Sequence, residues 1–391
     1  MLTVAVVGAG IAGLTTAAAL TRAGVQCQVY EQTAELAAVG AGIQLAPNAT
    51  RLLSRLGPIR LAERAVTPES LDMRHWDNGS VLGSTLLGQA CLDQYGAPYY
   101  TMHRADLHRC LQDLLPAGMV VLGRRVASVS ETPDGAELTF TDGTTTAADV
   151  VVGTDGIHSV VRQLFAADKP RFSGQTIYRG LVPADRVPHL VANPKVLLWA
   201  GPGRHCVSYP VSGGELVNVV ATTPAQSAPT ESWTTPGRVT DVLAAYEGWH
   251  DEVHTLLSSV DTVTQWALHD RDPLPQWSSN RITLAGDAAH PMLPFAAQGA
   301  NQAIEDAFVL AECLRTTKKN EIPTALQRYE SLRRQRTDEV QRLSRTNERQ
   351  YHLADNERHP TDGANSLKAQ AALFAHDAEE QAKQASAQLN G

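Results

Sequence analysis

Residues 2–7 are apolar and run straight into Gly8-Ala9-Gly10-Ile11-Ala12-Gly13. No other feature of the chain restricts its fold as tightly. An apolar run this short fits a strand buried in a parallel sheet. A helix follows with Leu14, Ala17, Ala18 and Leu20 facing inward, and Gly24 suits its C-terminal cap. Residues 25–30 read as a second strand, ending in Glu31. In a strand–helix–strand unit of this kind each glycine has its own task. Gly8 makes the tight turn, Gly10 lets backbone approach a pyrophosphate, and Gly13 lets helix pack closely on strand. Glu31 falls near the place, about 20 residues past the glycines, where an acid binds ribose hydroxyls. The unit predicts a dinucleotide site, and by itself it does not choose between FAD and NAD.

A second informative stretch is residues 286–307. It follows a mostly apolar run, 281–285, that reads as a buried strand. Gly286-Asp287 comes first, then a bend through Pro291 and Pro294, then Gly299-Ala300 opening a helix to about Leu314. Ile304, Val309, Leu310 and Leu314 are its expected apolar positions. A helix that starts on small residues leaves its first N–H groups free for a ligand, and its dipole favours negative charge there.

Composition narrows the partners. The 391 residues leave room for two domains. A net charge of −8 argues against nucleic acid. No apolar run approaches the roughly 18–20 residues a membrane span needs. The N-terminus enters a strand at once, leaving no room for a signal peptide. The five cysteines (Cys27, Cys91, Cys110, Cys206 and Cys313) are scattered without metal-ligand spacing and read as reduced thiols. A cytoplasmic monomer or homodimer without a metal site is expected.

Strands are predicted over 120–129, 136–140 and 148–153, the last ending in Thr154-Asp155-Gly156, with a helix beginning near Val160. From 171 to 266 strand-like alternation dominates (195–200, 206–211, 216–222), which reads as an inserted, mostly antiparallel sheet. The predicted units are therefore 1–170 with 267–315 for the nucleotide, 171–266 for substrate, and a helical region over 316–391. Arginines recur through 333–349, and the expectation for them is a solvated helix face. Residues 362–391 read as a peripheral helix, a partner-binding tail or a partly disordered end.

Gly8–Gly13 with Glu31, Asp155-Gly156 and Gly286-Asp287 together resemble the single-component FAD-dependent aromatic monooxygenases. That group includes salicylate hydroxylase, 3-hydroxybenzoate 6-hydroxylase and 6-hydroxynicotinate 3-monooxygenase. The resemblance covers roughly residues 1–350. It implies an α/β fold of the p-hydroxybenzoate hydroxylase type: a Rossmann-like FAD-binding domain, an inserted mostly antiparallel substrate sheet and C-terminal helices. It places Gly8, Gly10 and Gly13 at the FAD pyrophosphate and Glu31 at the adenosine ribose. Arg104, in His103-Arg104-Ala105-Asp106-Leu107, falls at the FAD linker and phosphates. Asp155 and Gly156 serve FAD and a transient NAD(P)H, and Asp287 the ribityl or pyrophosphate region. Gly299, Ala300 and Asn301 line the pyrimidine edge of the flavin ring. Arg51 is a further cofactor candidate, or a surface helix arginine. The chain has no second GxGxxG, which fits a nicotinamide that visits the flavin and leaves.

The chemistry the resemblance implies runs through an FAD C4a-hydroperoxide, formed with NAD(P)H and O2, that attacks an electron-rich ring. The expected substrate is a small phenolic or hydroxylated heteroaromatic acid. A larger polyketide- or isoprenoid-like molecule is the alternative, and a flavin-binding protein without turnover the third reading. A phenol, with a pKa of about 10, needs help to ionise. The hydroxynicotinate enzymes carry a histidine where this chain has Gln44, and glutamine is no base. The proton then falls to His205 or Tyr209, which strand alternation puts on one face. The other readings of these two are a loop-end histidine and a packed tyrosine. Pro294 and Gln298 are expected to face substrate and oxygen. His290 is expected to be structural. Arg179 is open to two readings, a substrate carboxylate clamp or a structural salt bridge.

Overall fold

In a computed structural model of the chain, Thr3–Val7 pairs in parallel with Gln26–Tyr30 on one side and Val150–Gly153 on the other. The structure describes residues 2–36, 40–225, 235–357 and 360–390. The predicted units therefore each extend over a few residues outside the described ones: 1 and 37–39 in the first, 226–234 in the second, 358–359 and 391 in the third. Ile282–Leu284 and Val120–Val121 close the parallel sheet at its two edges. Val150, Val151 and Val152 are fully buried, as strands covered on both faces require. Helix Ile11–Arg22 covers the sheet and packs against helix Gly299–Leu314, whose predicted end at Leu314 is the observed one.

Some boundaries differ from expectation for local reasons. Residues 120–129 form two strands in different sheets, parted at Gly123 with φ +69°. The 148–153 run also divides. Thr145–Ala148 pairs in a three-stranded sheet, while the Asp149 carboxylate accepts a hydrogen bond from the Thr3 amide at 2.9 Å and starts the parallel strand. The helix expected near Val160 is a single 3-10 turn, Val161–Leu164. There Arg162 is drawn inward to the Ala288 and Ala289 carbonyls and to Asp168.

The second layer is a sheet of eight strands, mostly antiparallel. Arg171–Pro183 lies between Leu216–Pro224 and Val263–Asp270, followed outward by Arg204–Val211 and Val196–Gly201. Two strands come from elsewhere in sequence. Ser70–His75 joins in parallel beside Val196–Gly201, and Val81–Leu86 forms the edge. Residues 70–86 thus belong to the substrate sheet although the sequence reading left them in 1–170. The buried positions of Ser70–His75 include Ser70 and Asp72, the latter held by Ser84 and Lys195, so no apolar alternation marked the strand.

Helix Ile322–Tyr351 corrects the solvated-face reading of its arginines. Arg342 and Arg349 are exposed as expected. Arg333 is fully buried, with Nη1 2.5 Å from Glu305 and Nε 2.7 Å from Asp306. Arg336 also holds Glu305, and Arg345 holds Asp270. The two acids lie mid-helix in Gly299–Leu314, so the charges meet inside the protein. The tail is helical: Pro360–Ala375 and Ala378–Asn390. Ala378 and Ala382 are buried in the nucleotide-domain core, and Arg22 and Arg55 pair with Glu379.

Candidate active site

Between the parallel sheet and the large sheet lie two adjoining cavities. The larger, about 340 Å³, runs from Gly10 past Arg104, Gly156 and Asp287 to Gly299 and Ala300. Its opposite wall is the large sheet, through Arg179 and Tyr209. The smaller, about 170 Å³, shares Gln44, His205, Pro294 and Gln298 with the first. Tyr99, Asn347, Tyr351 and Phe374 complete it.

The three fingerprint glycines differ in a way that bears on a ligand. Gly8 has φ +98°, and an added Cβ would meet the Thr154 carbonyl at 2.9 Å. A Cβ on Gly13 would lie 1.9 Å from the Gly8 carbonyl oxygen. A Cβ on Gly10 would meet nothing within 4 Å, and Gly10 borders the larger cavity. Two glycines are therefore needed by the fold, whereas the third leaves the cavity wall open at Gly10. At the far end the first bond of helix Gly299–Leu314 runs from the Gln302 amide to the Gln298 carbonyl. The amides of Gly299, Ala300 and Asn301 precede it and stay outside the helix ladder. Asp287 lies deep in the molecule, yet its side chain is open to the cavity. Burial raises its pKa, which nearby His290 and Arg104 oppose. An elongated space with an open glycine turn, a deep acid and a free helix N-terminus fits an extended dinucleotide.

The FAD binding domain family matches residues 1–344 of the chain. The chain is 50% identical over 353 residues to a 3-amino-4-hydroxybenzoate 2-monooxygenase of Streptomyces platensis, covering 90% of this chain and 89% of that one. It is 36% identical over 354 residues to a 6-hydroxynicotinate 3-monooxygenase of Pseudomonas fluorescens, covering 88% and 90%. Its structure aligns with a salicylate hydroxylase substrate complex at a TM-score of 0.81 and 31% identity, covering 98% and 97%. The chain belongs to the FAD-dependent aromatic monooxygenases.

In this monooxygenase not every predicted cofactor residue borders the cavity. Glu31 reaches the glycine turn, where Oε2 accepts from the Ala9 amide at 2.8 Å and Oε1 from Thr33. Asp155 turns to its own chain, accepting from Ser159 Oγ at 2.5 Å and the Val160 amide at 2.7 Å, while Gly156 borders the cavity. The Asn301 side chain clamps strand Gly42–Leu45: Nδ2 donates to the Gln44 carbonyl and Oδ1 accepts from the Ala46 amide. That leaves only its main-chain amide for a ligand. Arg51 has a different task from the expected one. Its guanidinium donates to the carbonyls of Tyr95 and His376, away from both cavities, and so ties down the link between the two C-terminal helices.

The expected substrate-side residues do come together. His205, Val207 and Tyr209 all border the larger cavity, as the alternation of Arg204–Val211 requires. Gly42 makes room for Tyr209, since a Cβ there would lie 2.5 Å from the ring. Gln44 accepts from the Tyr99 hydroxyl at 2.6 Å and is within reach of Tyr209. Burial pushes the Tyr209 pKa up to about 12, against the pull of Arg179 and Gln44. Tyr209 is therefore a hydrogen-bond donor at neutral pH and not a standing base. The Gln298 Oε1 accepts from both Asn48 and Gln302, and each of those also donates to Glu305. With its oxygen doubly engaged, Gln298 presents its amide N–H2 to the cavities. His290 bonds Asp306 at 2.6 Å and stacks beside Trp277, in keeping with a structural role.

Sequence reading missed the contribution of the C-terminal helices. The buried stripe Arg333, Thr337, Val340, Ser344 and Asn347 recurs every three to four residues, and Tyr351 continues it into the smaller cavity. The period was there to be found, but four of its six members, Arg333, Thr337, Ser344 and Asn347, are polar. Tyr99 and Phe374 carried no local signal at all.

Proposed function

We propose that the chain is an NAD(P)H-dependent hydroxylase of a single-ring amino- or hydroxybenzoate, with 3-amino-4-hydroxybenzoate as the leading candidate. The observation that carries this reading is Arg179. Its guanidinium faces the larger cavity and stacks on Trp266 with 4.5 Å to the ring centroid. Among the described residues no carboxylate pairs with it, and its Nε has no partner. Burial lowers its pKa to about 10, so it stays charged at neutral pH. A buried cation without a counter-ion is costly, and a substrate carboxylate supplies the missing charge. Pairing of that kind favours an aromatic acid over a neutral phenol.

The smaller cavity, which opens beside Gln44, His205 and Gln298 into the part of the larger one lined by Arg179 and Tyr209, supports the size of the substrate. At about 170 Å³ it suits one substituted ring. A polyketide-sized ligand needs about 300 Å³ or more. FAD, when bound, takes hydride from NAD(P)H and activates O2. The glycine turn and helix Ile11–Arg22 would hold its pyrophosphate, Arg104 and Asp287 its linker, and the amides of Gly299, Ala300 and Asn301 the electron-accepting edge of its ring. Arg179 would orient the acid. The N–H2 of Gln298 and the hydroxyl of Tyr209 would donate to the ring oxygen as its charge grows. Phe295, Leu293 and Pro294 would keep water from the reacting carbon. The five free cysteines support a reducing, cytoplasmic setting.

The test is a panel of aromatic acids scored by stimulated NAD(P)H oxidation and by product identification. 3-Amino-4-hydroxybenzoate should stimulate strongly and its decarboxylated analogue 2-aminophenol weakly. Equal stimulation by the two removes the carboxylate from recognition, and with it this reading.

A further inference from the structure

His205 borders both cavities and is almost fully buried, yet its ring is also joined to a residue outside them. Its Nδ1 lies 2.9 Å from Nε2 of His352, at the end of helix Ile322–Tyr351, and 3.1 Å from Thr222 Oγ1. The rings are tilted by 31° with centroids 5.1 Å apart, and Phe295 and Tyr351 enclose His205. Two imidazole nitrogens at this distance share one proton: one is N–H and the other a lone pair. That leaves Nε2 of His205 for a ligand in the chamber. His352 is only partly buried, and with Nε2 turned to His205 its Nδ1 is the nitrogen left for an outward hop.

We propose that His352 completes a two-imidazole relay through which the hydroxyl proton of a phenolic substrate leaves the chamber for solvent. The proposal rests on the reading of the chain as a hydroxylase of a phenolic acid. The substrate O–H bond breaks and its proton binds Nε2 of His205. The proton on Nδ1 of His205 passes to Nε2 of His352, and the proton on Nδ1 of His352 passes to water. One proton has left and a phenolate remains, facing the donors Gln298 and Tyr209. Both imidazoles end neutral in the opposite tautomer, and reprotonation of the product hydroxyl runs the same hops backward and resets them.

The surroundings favour transit over storage. Burial, with His352 beside it, holds His205 well below the ordinary histidine value, and burial with Arg204 holds His352 near 4. Neither ring keeps a positive charge at neutral pH, so a proton that enters on one side has to leave on the other. Thr222 fixes the His205 ring from behind through the main-chain amide and Nδ1. His352 is a positioning and relay residue, since it reaches substrate only through His205.

The experiment follows ionisation of 3-amino-4-hydroxybenzoate by stopped-flow absorbance on mixing with the FAD-loaded protein. His352→Ala and His352→Gln are compared with the parent, with FAD content and melting temperature as controls for folding. His352→Ala should ionise the bound acid about tenfold more slowly or worse, at nearly unchanged affinity, and added imidazole should restore the rate. His352→Gln, which keeps a hydrogen bond to His205 but relays no proton, should be as slow and gain nothing from imidazole. An unchanged rate in His352→Ala, a loss that imidazole does not restore, or no ionisation in the parent overturns the relay. If the parent oxidises NAD(P)H on adding the acid, those outcomes leave the hydroxylase reading standing. If no aromatic acid stimulates the parent, that reading falls and the relay falls with it.

Discussion

The floor of the active-site cavity and its roof are made by different means. The floor is backbone: the turn Gly8–Gly13, the free amides at Gly299–Asn301, and the Gly286-Asp287 turn, held by Asp306 accepting from the Gly286 amide at 2.9 Å. The roof is side chains. Gln44, Tyr99, Arg179, His205, Tyr209, Asn347 and Phe374 come from six stretches of chain and meet only in the folded protein. A floor of main-chain groups serves any molecule with the same phosphate and flavin ends. A roof of side chains selects the second reactant, and it can vary without disturbing the floor.

The largest expected effect divides the floor within itself. Gly13→Ala drives a Cβ to 1.9 Å from the Gly8 carbonyl oxygen, backbone against backbone, with no side chain able to yield. It should cost more than about 4 kcal/mol, in the range that marks a broken structural requirement. At Gly10 an added Cβ meets nothing within 4 Å, and Gly10 has φ −72°, which any residue tolerates, so Gly10→Val should be accepted by the fold. Its FAD-free form should unfold within about 1 kcal/mol of the FAD-free parent, yet purify colourless. Far-UV melts of both apo-proteins and the flavin absorbance of both preparations check this. A yellow Gly10→Val protein would undo the assignment of the floor to FAD.

Next comes the join between floor and roof. Arg333 compensates Glu305 and Asp306, and through Asn48 and Gln302 the same cluster orients Gln298. Arg333→Met should cost about 3–5 kcal/mol by leaving buried Asp306 without its arginine and buried Glu305 with Arg336 alone. Urea unfolding of the parent and the variant measures it. The sign with pH follows from Glu305. Burial pushes its pKa up, but Arg333 and Arg336 outweigh burial and hold it far below the ordinary carboxylate value. A folded pKa depressed below the unfolded one gives stability that is present above about pH 4.3 and lost as pH falls. The gap between parent and variant should therefore narrow as pH drops below about 4. A gap that is constant from neutral pH down to about pH 3 would mean that packing, not charge, makes the join.

How much could be read beforehand follows the same division. Main-chain devices leave glycines and fixed spacings in the sequence, so the turn at Gly8 and Gly13, the stretches that bring Gly10, Asp287 and Gly299 to the cavity, and the helix end at Leu314 could be read ahead. The roof was legible only where one strand carries it, as with His205 and Tyr209. Arg51 misled because an arginine on a helix beside a nucleotide domain looks alike whether it meets phosphate or, as here, two carbonyls. Arg333 misled because charge predicts exposure unless the partners are known, and Glu305 and Asp306 lie 28 and 27 residues away in sequence. Strand Ser70–His75 was missed because its buried positions, Ser70 and Asp72, are polar, Asp72 being held by Ser84 and Lys195.

Within the roof, Arg179 should matter most. Arg179→Leu should leave FAD content unchanged and raise the KM for an aromatic acid about 10- to 100-fold, as expected for losing a charged hydrogen bond of about 1.5–3 kcal/mol. Preference for the acid over its decarboxylated analogue should collapse at the same time. An unchanged preference would return Arg179 to a structural role. Tyr209→Phe should follow at about tenfold, below the roughly 100- to 1,000-fold of a sole donor to a developing charge, because Gln298 donates to the same oxygen. It should slow hydroxylation while flavin reduction keeps its rate. Rapid-reaction traces separate the two steps, and equal slowing of both would take Tyr209 out of the proton and charge path.

The smallest effect is expected from Gln370, on helix Pro360–Ala375, which borders the smaller cavity beside Leu373 and Phe374. Phe374 is nearly buried and its ring stands edge-on to Tyr95 and tilted against Tyr99, so it belongs to the packed wall. Gln370 is only half-buried, and among the described residues nothing holds its amide. A side chain free to turn gains little from a ligand once the cost of ordering it is counted, about 1.5–2 kcal/mol for glutamine. Gln370→Ala should therefore change KM by no more than about threefold, less than 1 kcal/mol, with product identity and coupling to NAD(P)H oxidation preserved. Steady-state kinetics with the best acid from the panel decides it. A change beyond tenfold, or a shift in the carbon hydroxylated, would raise the C-terminal helix to the rank of the sheet. The roof would then be a clamp closed from two sides, and the contrast with the floor would turn on which elements are held in place by Arg51, Arg55 and Glu379 rather than on backbone against side chain.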